Sequence, residues 1–235
     1  MKIALLGYGK MGKEIESIAI KRNHTIVSKV DKNFIEGEIN SADIAINFSD
    51  PFAAVSNISM ALNLGIPVVS GTTGWLKNNR KIKSLSKKNN VGFLYSSNFS
   101  IGVNIFFELN KSLTKLMKGH ENYSVELNEE HHNKKVDSPS GTAISLANDI
   151  ISNSKYKKWS LNSDEKDSLR INSIRNGNTI GIHDIYFKSS LDQIKISHES
   201  FSRSSYAIGA LIASEWLIGK KGIYTMSDVL SITKK

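Results

Sequence analysis

Lys2-Ile3-Ala4-Leu5-Leu6-Gly7-Tyr8-Gly9-Lys10-Met11-Gly12 runs from a short apolar segment into a glycine cluster, and Lys13 to Lys21 follow with helical spacing. Strand, tight turn and helix in that order make the unit in which a G-x-G-x-x-G loop cradles a dinucleotide. Gly7 makes the turn, Gly9 admits a pyrophosphate, and Gly12 lets helix and strand pack closely, with Tyr8, Lys10 and Met11 completing the loop. A second strand, Thr25 to Val30, ends in Asp31 about twenty residues beyond the glycines, where a carboxylate reaches a ribose hydroxyl. Lys32 beside it offers a partner to a 2′-phosphate, which leaves NADPH open alongside NADH. The bland alternative is a glycine turn in an α/β unit that holds no nucleotide.

The alternation continues outward from that unit. Ala42 to Phe48 reads as a strand, Ser49-Asp50-Pro51 as a helix cap, and Phe52 to Leu64 as a helix stopped by Gly65. Ile66 to Ser70 is the next strand, Gly71-Thr72-Thr73-Gly74 its turn, and Trp75 to Lys88 the next helix. Val91 to Tyr95 is a further strand leading into Ser96-Ser97-Asn98-Phe99-Ser100. Strands alternating with helices predict a Rossmann-type, doubly wound parallel sheet, whose cofactor lies along the carboxyl ends of the strands. Gly71, Thr72 and Thr73, with Ser96, Ser97, Asn98 and Phe99, sit at those ends and are assigned to the ribose and nicotinamide side. Taken singly, each loop also fits an ordinary turn and cap.

The middle of the chain has another character. Ile101 to Lys118 reads as a long amphipathic helix closed by Gly119, and Tyr123 to Glu130 alternates apolar and polar residues at period two, the pattern of a half-buried strand. That strand delivers His131 and His132, which face opposite ways if it persists to its end. Ser138 and Pro139 fit a helix cap and first helical position, with the helix under way near Ser140. Its start makes Ser140, Gly141 and Thr142 a seat for a carboxylate or phosphate, and Lys135 is a further donor close by. The competing readings are a polar turn before a capped helix, and a metal site built from Glu129, Glu130, His131, His132 and Asp137. The metal site has an unusual ligand spacing and repelling neighbours in Lys134 and Lys135, so no metal is expected.

Asn153 to Asp167 is lysine-rich and polar, and reads as a surface excursion. Leu169 to Arg175, Thr179 to Phe187 and Gln193 to Glu199 then alternate as strands, with Asn176-Gly177-Asn178 a hairpin signal. A run of strands there predicts a second, mixed-sheet α+β domain. Arg175 and His183 look like exposed structural polar residues within it. Arg203 to Gly219 returns to helical spacing, and a short helix starts near Ser227-Asp228.

A chain of 235 residues with a net charge of +9 has ample length for two domains, and its lysines are scattered rather than gathered into a nucleic-acid footprint. The densest group, Lys77 to Lys88, reads as a solvated helix face. With no cysteine, no leader-like N-terminus and no apolar run of membrane length, the expected setting is the cytoplasm, with neither nucleic acid nor membrane as partner.

Glu130-His-His-Asn-Lys-Lys-Val-Asp-Ser-Pro-Ser-Gly-Thr-Ala143, with the glycine loop, Gly71-Thr-Thr-Gly, Asn98-Phe-Ser-Ile-Gly-Val-Asn and Ile174-Arg-Asn-Gly to Gly181-Ile-His, resembles the 4-hydroxy-tetrahydrodipicolinate (dihydrodipicolinate) reductase family over nearly the whole chain. The resemblance implies NADH- or NADPH-dependent reduction of a small dicarboxylate on the diaminopimelate route to lysine. It further implies a homotetramer, with a dinucleotide-binding domain over 1–103 plus 206–235 and a substrate-binding and oligomerisation domain over 104–205. His131 then acts as proton donor and acceptor, Lys135 as proton donor, His132 as a substrate ligand, and Gly141 with Thr142 as the holder of a carboxylate. Rival readings from other classes are a non-catalytic dinucleotide sensor or scaffold, a metal-dependent hydrolase and a basic nucleic-acid binder.

Overall fold

The computed structural model describes residues 1–232. In chain order the elements are β1 (Lys2–Leu6), α1 (Lys10–Lys21), β2 (Thr25–Asp31), β3 (Phe34–Gly37), β4 (Ile44–Asn47), α2 (Pro51–Asn63), β5 (Val68–Ser70), α3 (Asn79–Asn89) and β6 (Gly92–Tyr95). There follow α4 (Ile101–Leu116), β7 (Ser124–His131), α5 (Gly141–Ile151), β8 (Lys158–Leu161), β9 (Ser168–Arg175), β10 (Gly181–Lys188) and β11 (Gln193–Ser200). The chain closes with α6 (Ser204–Leu217), β12 (Gly222–Tyr224) and α7 (Met226–Val229). Two compact units result: Met1–Ile101 with Ser204–Lys235, and Gly102–Arg203.

The first unit is a seven-stranded sheet in the order β12-β6-β5-β4-β1-β2-β3, parallel except for β3. Its central strands are apolar on both faces because helices cover both, so β1 and β4 bury Ile3 to Leu6 and Ile44 to Ile46 almost completely. One face packs against Ala210, Leu211 and Leu217 of α6 with Ile15 of α1; the other packs against Ile58 and Leu62 of α2 with Ile82 of α3. This is the Rossmann-type sheet expected. Two strands are additions to it. β3 makes a hairpin with β2, and β12 adds a parallel edge beside β6. Each is short and at an edge, and β3 is exposed throughout, so neither carries an apolar alternation to be read. The stretch expected as one helix from Trp75 divides instead: Trp75 is buried with its indole N–H donating to the Thr72 carbonyl at 2.7 Å, a 3-10 turn follows, and α3 starts only at Asn79.

The second unit is a five-stranded mixed sheet in the order β11-β10-β7-β9-β8. β7 lies parallel to β9 and antiparallel to β10, and α4 and α5 bury one face through Phe106, Leu146, Ala147 and Ile150. Two expectations need correction here. The lysine-rich stretch read as a surface excursion contains β8, an edge strand that pairs parallel with β9; Trp159 and Leu161 pack on the core while Lys157 and Lys158 pair outward with Asp167 and Glu165. Nor does Asn176-Gly177-Asn178 close a hairpin, because β7 stands between β9 and β10. The turn wraps the end of β7 instead: Asn176 N–H donates to the His131 carbonyl at 2.8 Å and Asn133 N–H to the Gly177 carbonyl at 3.2 Å. Among the described residues, no helix is long and apolar enough to cross a membrane.

Candidate active site

At the carboxyl edge of the first sheet the glycine loop has the shape a pyrophosphate requires. Gly7 has φ +100°, and a Cβ there would lie 2.3 Å from the Phe48 carbonyl oxygen; one on Gly12 would lie 2.4 Å from the Gly7 carbonyl oxygen. Only glycine keeps strand and helix this close. A Cβ on Gly9, by contrast, would meet nothing within 4 Å, and the N-terminus of α1 at Gly9 has no side-chain cap. The loop therefore offers an open, N–H-lined surface to an anion. Asp31 accepts the Tyr8 N–H at 2.8 Å and the Lys32 N–H at 2.7 Å, so the residue expected at a ribose also ties β2 to the loop. Tyr8 is fixed by its hydroxyl to Glu16, with the Lys29 ammonium 4.9 Å above its ring.

Two pockets flank the loop. One, of about 480 Å³, is lined by Gly7, Asp31, Lys32, Ser49, Asp50 and Phe52 among others; its neighbour, of about 450 Å³, joins Gly9, Lys10 and Met11 to Gly71, Thr72 and Thr73. Sequence-distant loops are thus brought to one edge. Thr72 is buried and braces the loop after β4: its hydroxyl accepts the Ser49 N–H at 2.9 Å and the Asn47 amide at 3.1 Å. In the next loop Ser96 accepts the Asn98 N–H and donates back to the Asn98 carbonyl at 2.6 Å, and Ser97 is exposed. The Phe99 ring is buried in the core beside Phe48, and its carbonyl packs against Gly209 of α6, so this residue, expected at the nicotinamide side, presents no side chain there. A dinucleotide fits this edge by shape and by donor chemistry.

In the second unit the chemistry gathers at the end of β7. Val125, Leu127, Glu129 and His131 alternate inward along that strand, so a carboxylate and an imidazole share the buried face with the core. On β10 the inward residues are Gly181, His183, Ile185 and Phe187. Glu129 is buried, and its carboxylate accepts the Ser140 N–H at 3.0 and 3.1 Å and the Ser173 hydroxyl at 2.6 Å. Its oxygens also lie 3.5 Å from His131 Nδ1, 3.8 Å from His183 Nε2 and 3.6 Å from the Arg175 guanidinium. Burial alone would raise the Glu129 carboxyl, but the hydrogen bonds from Ser140 and Ser173 hold it below its ordinary range. Burial pushes His131 down, against the pull of Glu129. The two histidine rings meet edge to face, 5.1 Å between centroids.

His183 and Arg175, expected to be exposed, are here part of the site. His183 is buried with Nε2 3.2 Å from the Ser140 hydroxyl, and Arg175 donates to the main-chain carbonyls of Asp137 at 2.6 Å and Lys135 at 3.4 Å, shaping the loop after β7. The sequence offers Glu129 only as a metal ligand, and Arg175 and His183 only as structural polar residues within the family motif; none is expected beside His131. The period-two pattern of β7 was the available signal for Glu129, because it shares a face with Leu127.

Burial, with the adjoining His131 second, pushes His183 down to about 3. Unfolded, the residue titrates near 6.5, so between pH 6.5 and 3 the unfolded chain holds a proton that the folded one does not, and stability falls as pH falls through that window. One such group adds a slope of up to about 1.4 kcal/mol per pH unit. Urea unfolding of the wild type and of His183→Asn at pH 7.5, 6, 5 and 4 should show the shallower slope in the variant; equal slopes would refute the assignment.

Other expected residues are distributed as follows. β7 stops at His131, so His132 lies in the loop, half-buried, with Nε2 3.3 Å from the Arg203 guanidinium. That guanidinium can only donate, so the contact is a hydrogen bond when Nε2 is the acceptor of the ring. Lys135 Nζ pairs with Asp137 at 2.8 Å. The cap of α5 is Ser140 and not Ser138; the Ser140 hydroxyl accepts the Ala143 N–H at 3.1 Å, and Pro139 precedes the cap. Ser140 is therefore not a free donor for an anion, since Glu129 takes its amide. The next amides, of Gly141 and Thr142, have no acceptor within the helix, and a Cβ on Gly141 would meet nothing within 4 Å. As to a metal, Glu129, His131 and His183 bring ligand-type atoms within 4.8 Å of one another, but the carboxylate is already hydrogen-bonded and Arg175 and Lys135 oppose a further cation.

Curated 4-hydroxy-tetrahydrodipicolinate reductases are similar along the whole chain: the one from Christiangramia forsetii is 49% identical over 234 residues, covering 98% of each chain, and that of Clostridium novyi is 37% identical over 251 residues, covering 97% of this chain and 98% of its own. Among solved structures, the dipicolinate-bound dihydrodipicolinate reductase of a Paenisporosarcina species has the same fold, with a TM-score of 0.77 at 23% identity over 97% of this chain and 98% of that one. A probable dehydrogenase of Thermotoga maritima aligns with a TM-score of 0.60 at 12% identity, covering 97% and 92%. Residues 1–99 match the model for the N-terminus of dihydrodipicolinate reductase and residues 102–230 the model for its C-terminus, so the chain belongs to the dihydrodipicolinate reductase family.

Proposed function

We propose that His131 and Lys135 supply the proton, and that His132, Gly141 and Thr142 hold carboxylates of the substrate with Ser140 anchored behind them. The chain is an oxidoreductase that reduces 4-hydroxy-tetrahydrodipicolinate to tetrahydrodipicolinate with NADH or NADPH, in lysine biosynthesis through diaminopimelate. When bound, the reduced nicotinamide supplies hydride. The nucleotide is assigned to the first unit: Gly7 to Gly12 for the pyrophosphate, Asp31 and Lys32 for the adenosine ribose, and Gly71 to Thr73 with Ser96 to Phe99 toward the nicotinamide. In the second unit, the paired histidines beside an ionised Glu129 let one imidazole take up and give back a proton, and the Lys135 ammonium is a second acid. The amides at the start of α5 are donors suited to a carboxylate. That the Paenisporosarcina reductase is dipicolinate-bound supports a small dicarboxylate as the ligand.

The observation that carries this reading is the Glu129–His131–His183 cluster set against the start of α5. The test is to mix the protein with NADH or NADPH and freshly prepared substrate, and to follow the absorbance of the reduced cofactor. Oxidation with at least one cofactor is expected. Binding of both without turnover would mark a dinucleotide sensor and refute the reading.

A homotetramer built on the second unit, working in the cytoplasm, completes the proposal. In support, the sheet face away from α4 and α5 is half-buried and polar: Asn172 donates to Glu126 and Asn128, and Lys188 reaches Glu126 at 2.9 Å. A solution mass other than that of four chains would refute it.

A further inference from the structure

We propose that Glu129 is a positioning residue for the reductase reaction: its buried carboxylate fixes the tautomer of His131, stabilises the imidazolium that His131 becomes, and anchors the amide that starts α5. The inference rests on the assignment of His131 as proton donor and acceptor. It assigns a role to a residue that contributes no atom to either ligand.

A buried carboxylate ordinarily has a hydrogen-bonded cation as partner. Glu129 does not have one. Arg175 approaches to 3.6 Å but donates to the Ser173 hydroxyl and to the carbonyls of Ile174, Asp137 and Lys135. What binds the carboxylate directly is neutral: the Ser140 amide and the Ser173 hydroxyl. The ring nitrogen nearest to it, His131 Nδ1, is buried without a hydrogen-bond partner and lies 3.5 Å from Oε2. An orphaned buried nitrogen and an under-compensated buried charge thus face each other across a gap that a small ring rotation closes. Carboxylates accept only, so Nδ1 carries the proton in the neutral ring. Nε2 is then the free base.

Room for the reacting proton is on the other side of the ring. Gly181 lies there, where a Cβ would come within 3.1 Å of His131 Nε2. When Nε2 takes up a proton, the imidazolium has a fixed negative partner behind it, and the pair is neutral as a whole. The other charged and titratable groups around His131 are His183 on β10, Arg175 on β9, and Lys135 and Asp137 in the loop, with His198 on β11 beyond His183. His183, Arg175 and Lys135 disfavour positive charge on the ring, and Asp137 is exposed and paired with Lys135. Glu129 is the buried group that favours it. Because its oxygens also hold the Ser140 amide, a shift of the carboxylate moves the histidine and the carboxylate seat together.

The test compares Glu129→Gln, Glu129→Asp and His131→Gln with the wild type over pH 5.5 to 9, with nitrogen NMR of the imidazoles as a readout that needs no variant. In the wild type at neutral pH, His131 should show its proton on Nδ1. Glu129→Gln should lower kcat by about 10- to 100-fold, since it removes only part of what a positioned acid or base contributes. It should also move the limb of the kcat/KM profile that His131 governs to lower pH, with NADH affinity unchanged, and Glu129→Asp should recover part of both effects. A wild-type His131 protonated on Nε2, or a Glu129→Gln enzyme with the wild-type pH profile while His131→Gln is inactive, would overturn the inference and leave the role of His131 standing. An active His131→Gln enzyme would instead overturn the assignment of His131 itself.

Discussion

Replacing Lys135 by alanine should lower kcat by about two to four orders of magnitude, the usual worth of a positioned general acid. Affinity for NADH should stay within about twofold, a change of under about 0.5 kcal/mol. The fold has little to lose from the substitution. The Lys135 ammonium pairs with Asp137, whose side chain is 60% exposed, and ion pairs of that kind contribute about 1 kcal/mol or less. The loop is held by its main chain: Lys135 N–H donates to the His132 carbonyl at 3.1 Å, and its own carbonyl accepts from Arg175. Both contacts survive truncation of the side chain, so a lost rate reports on the ammonium. KM for the dicarboxylate should rise as well, because one cation near an anionic ligand is gone. Stopped-flow binding of NADH and steady-state rates on the same sample separate these terms. A variant altered in cofactor affinity alone would show that Lys135 has been given the wrong task.

How much of this was legible from the chain depends on distance along it. The first unit could be read because each strand is an apolar run closed by glycine or by a cap, and each following helix returns to 3.6-residue spacing; the signal is local. β3, β8 and β12 escaped because short edge strands with charged neighbours carry no such run. The end of β7 was legible as far as one segment carries it: His131, Lys135 and the start of α5 all belong to a fifteen-residue stretch. Arg175 and His183 are more than 40 residues beyond His131, and only the topology, with β7 inserted between β9 and β10, brings them in. The hairpin reading of Asn176-Gly177 failed for the same reason. Turn chemistry specifies that the chain reverses, not which strand it reverses around.

Gly7→Ala should raise the dissociation constant for NADH by about 100-fold or more, and should lower the urea midpoint of unfolding. Two costs fall on the same atom. The backbone at φ +100° is closed to an L-residue, which costs about 1–3 kcal/mol, and the added Cβ would overlap the Phe48 carbonyl at 2.3 Å and Ser49 Cα at 2.7 Å, overpacking worth about 1–3 kcal/mol more. Neither neighbour yields easily, because Phe48 N–H is bonded to the Leu6 carbonyl at 2.9 Å and Gly7 N–H to the Val30 carbonyl at 2.7 Å. Relief therefore means parting the ends of β1 and β4, between the two pockets that flank the loop. If restoring the binding geometry costs about 3 kcal/mol, the competent fraction falls by about 100-fold and apparent affinity falls with it. Gly9→Ala provides the contrast. Its φ is −78° and its Cβ would touch nothing in the protein, so the urea midpoint should stay at the wild-type value while NADH binding still weakens, because the methyl occupies the space left for phosphate. Fluorescence titration of NADH alongside urea unfolding distinguishes the two glycines. Wild-type affinity in Gly7→Ala would show that the loop does not hold the nucleotide.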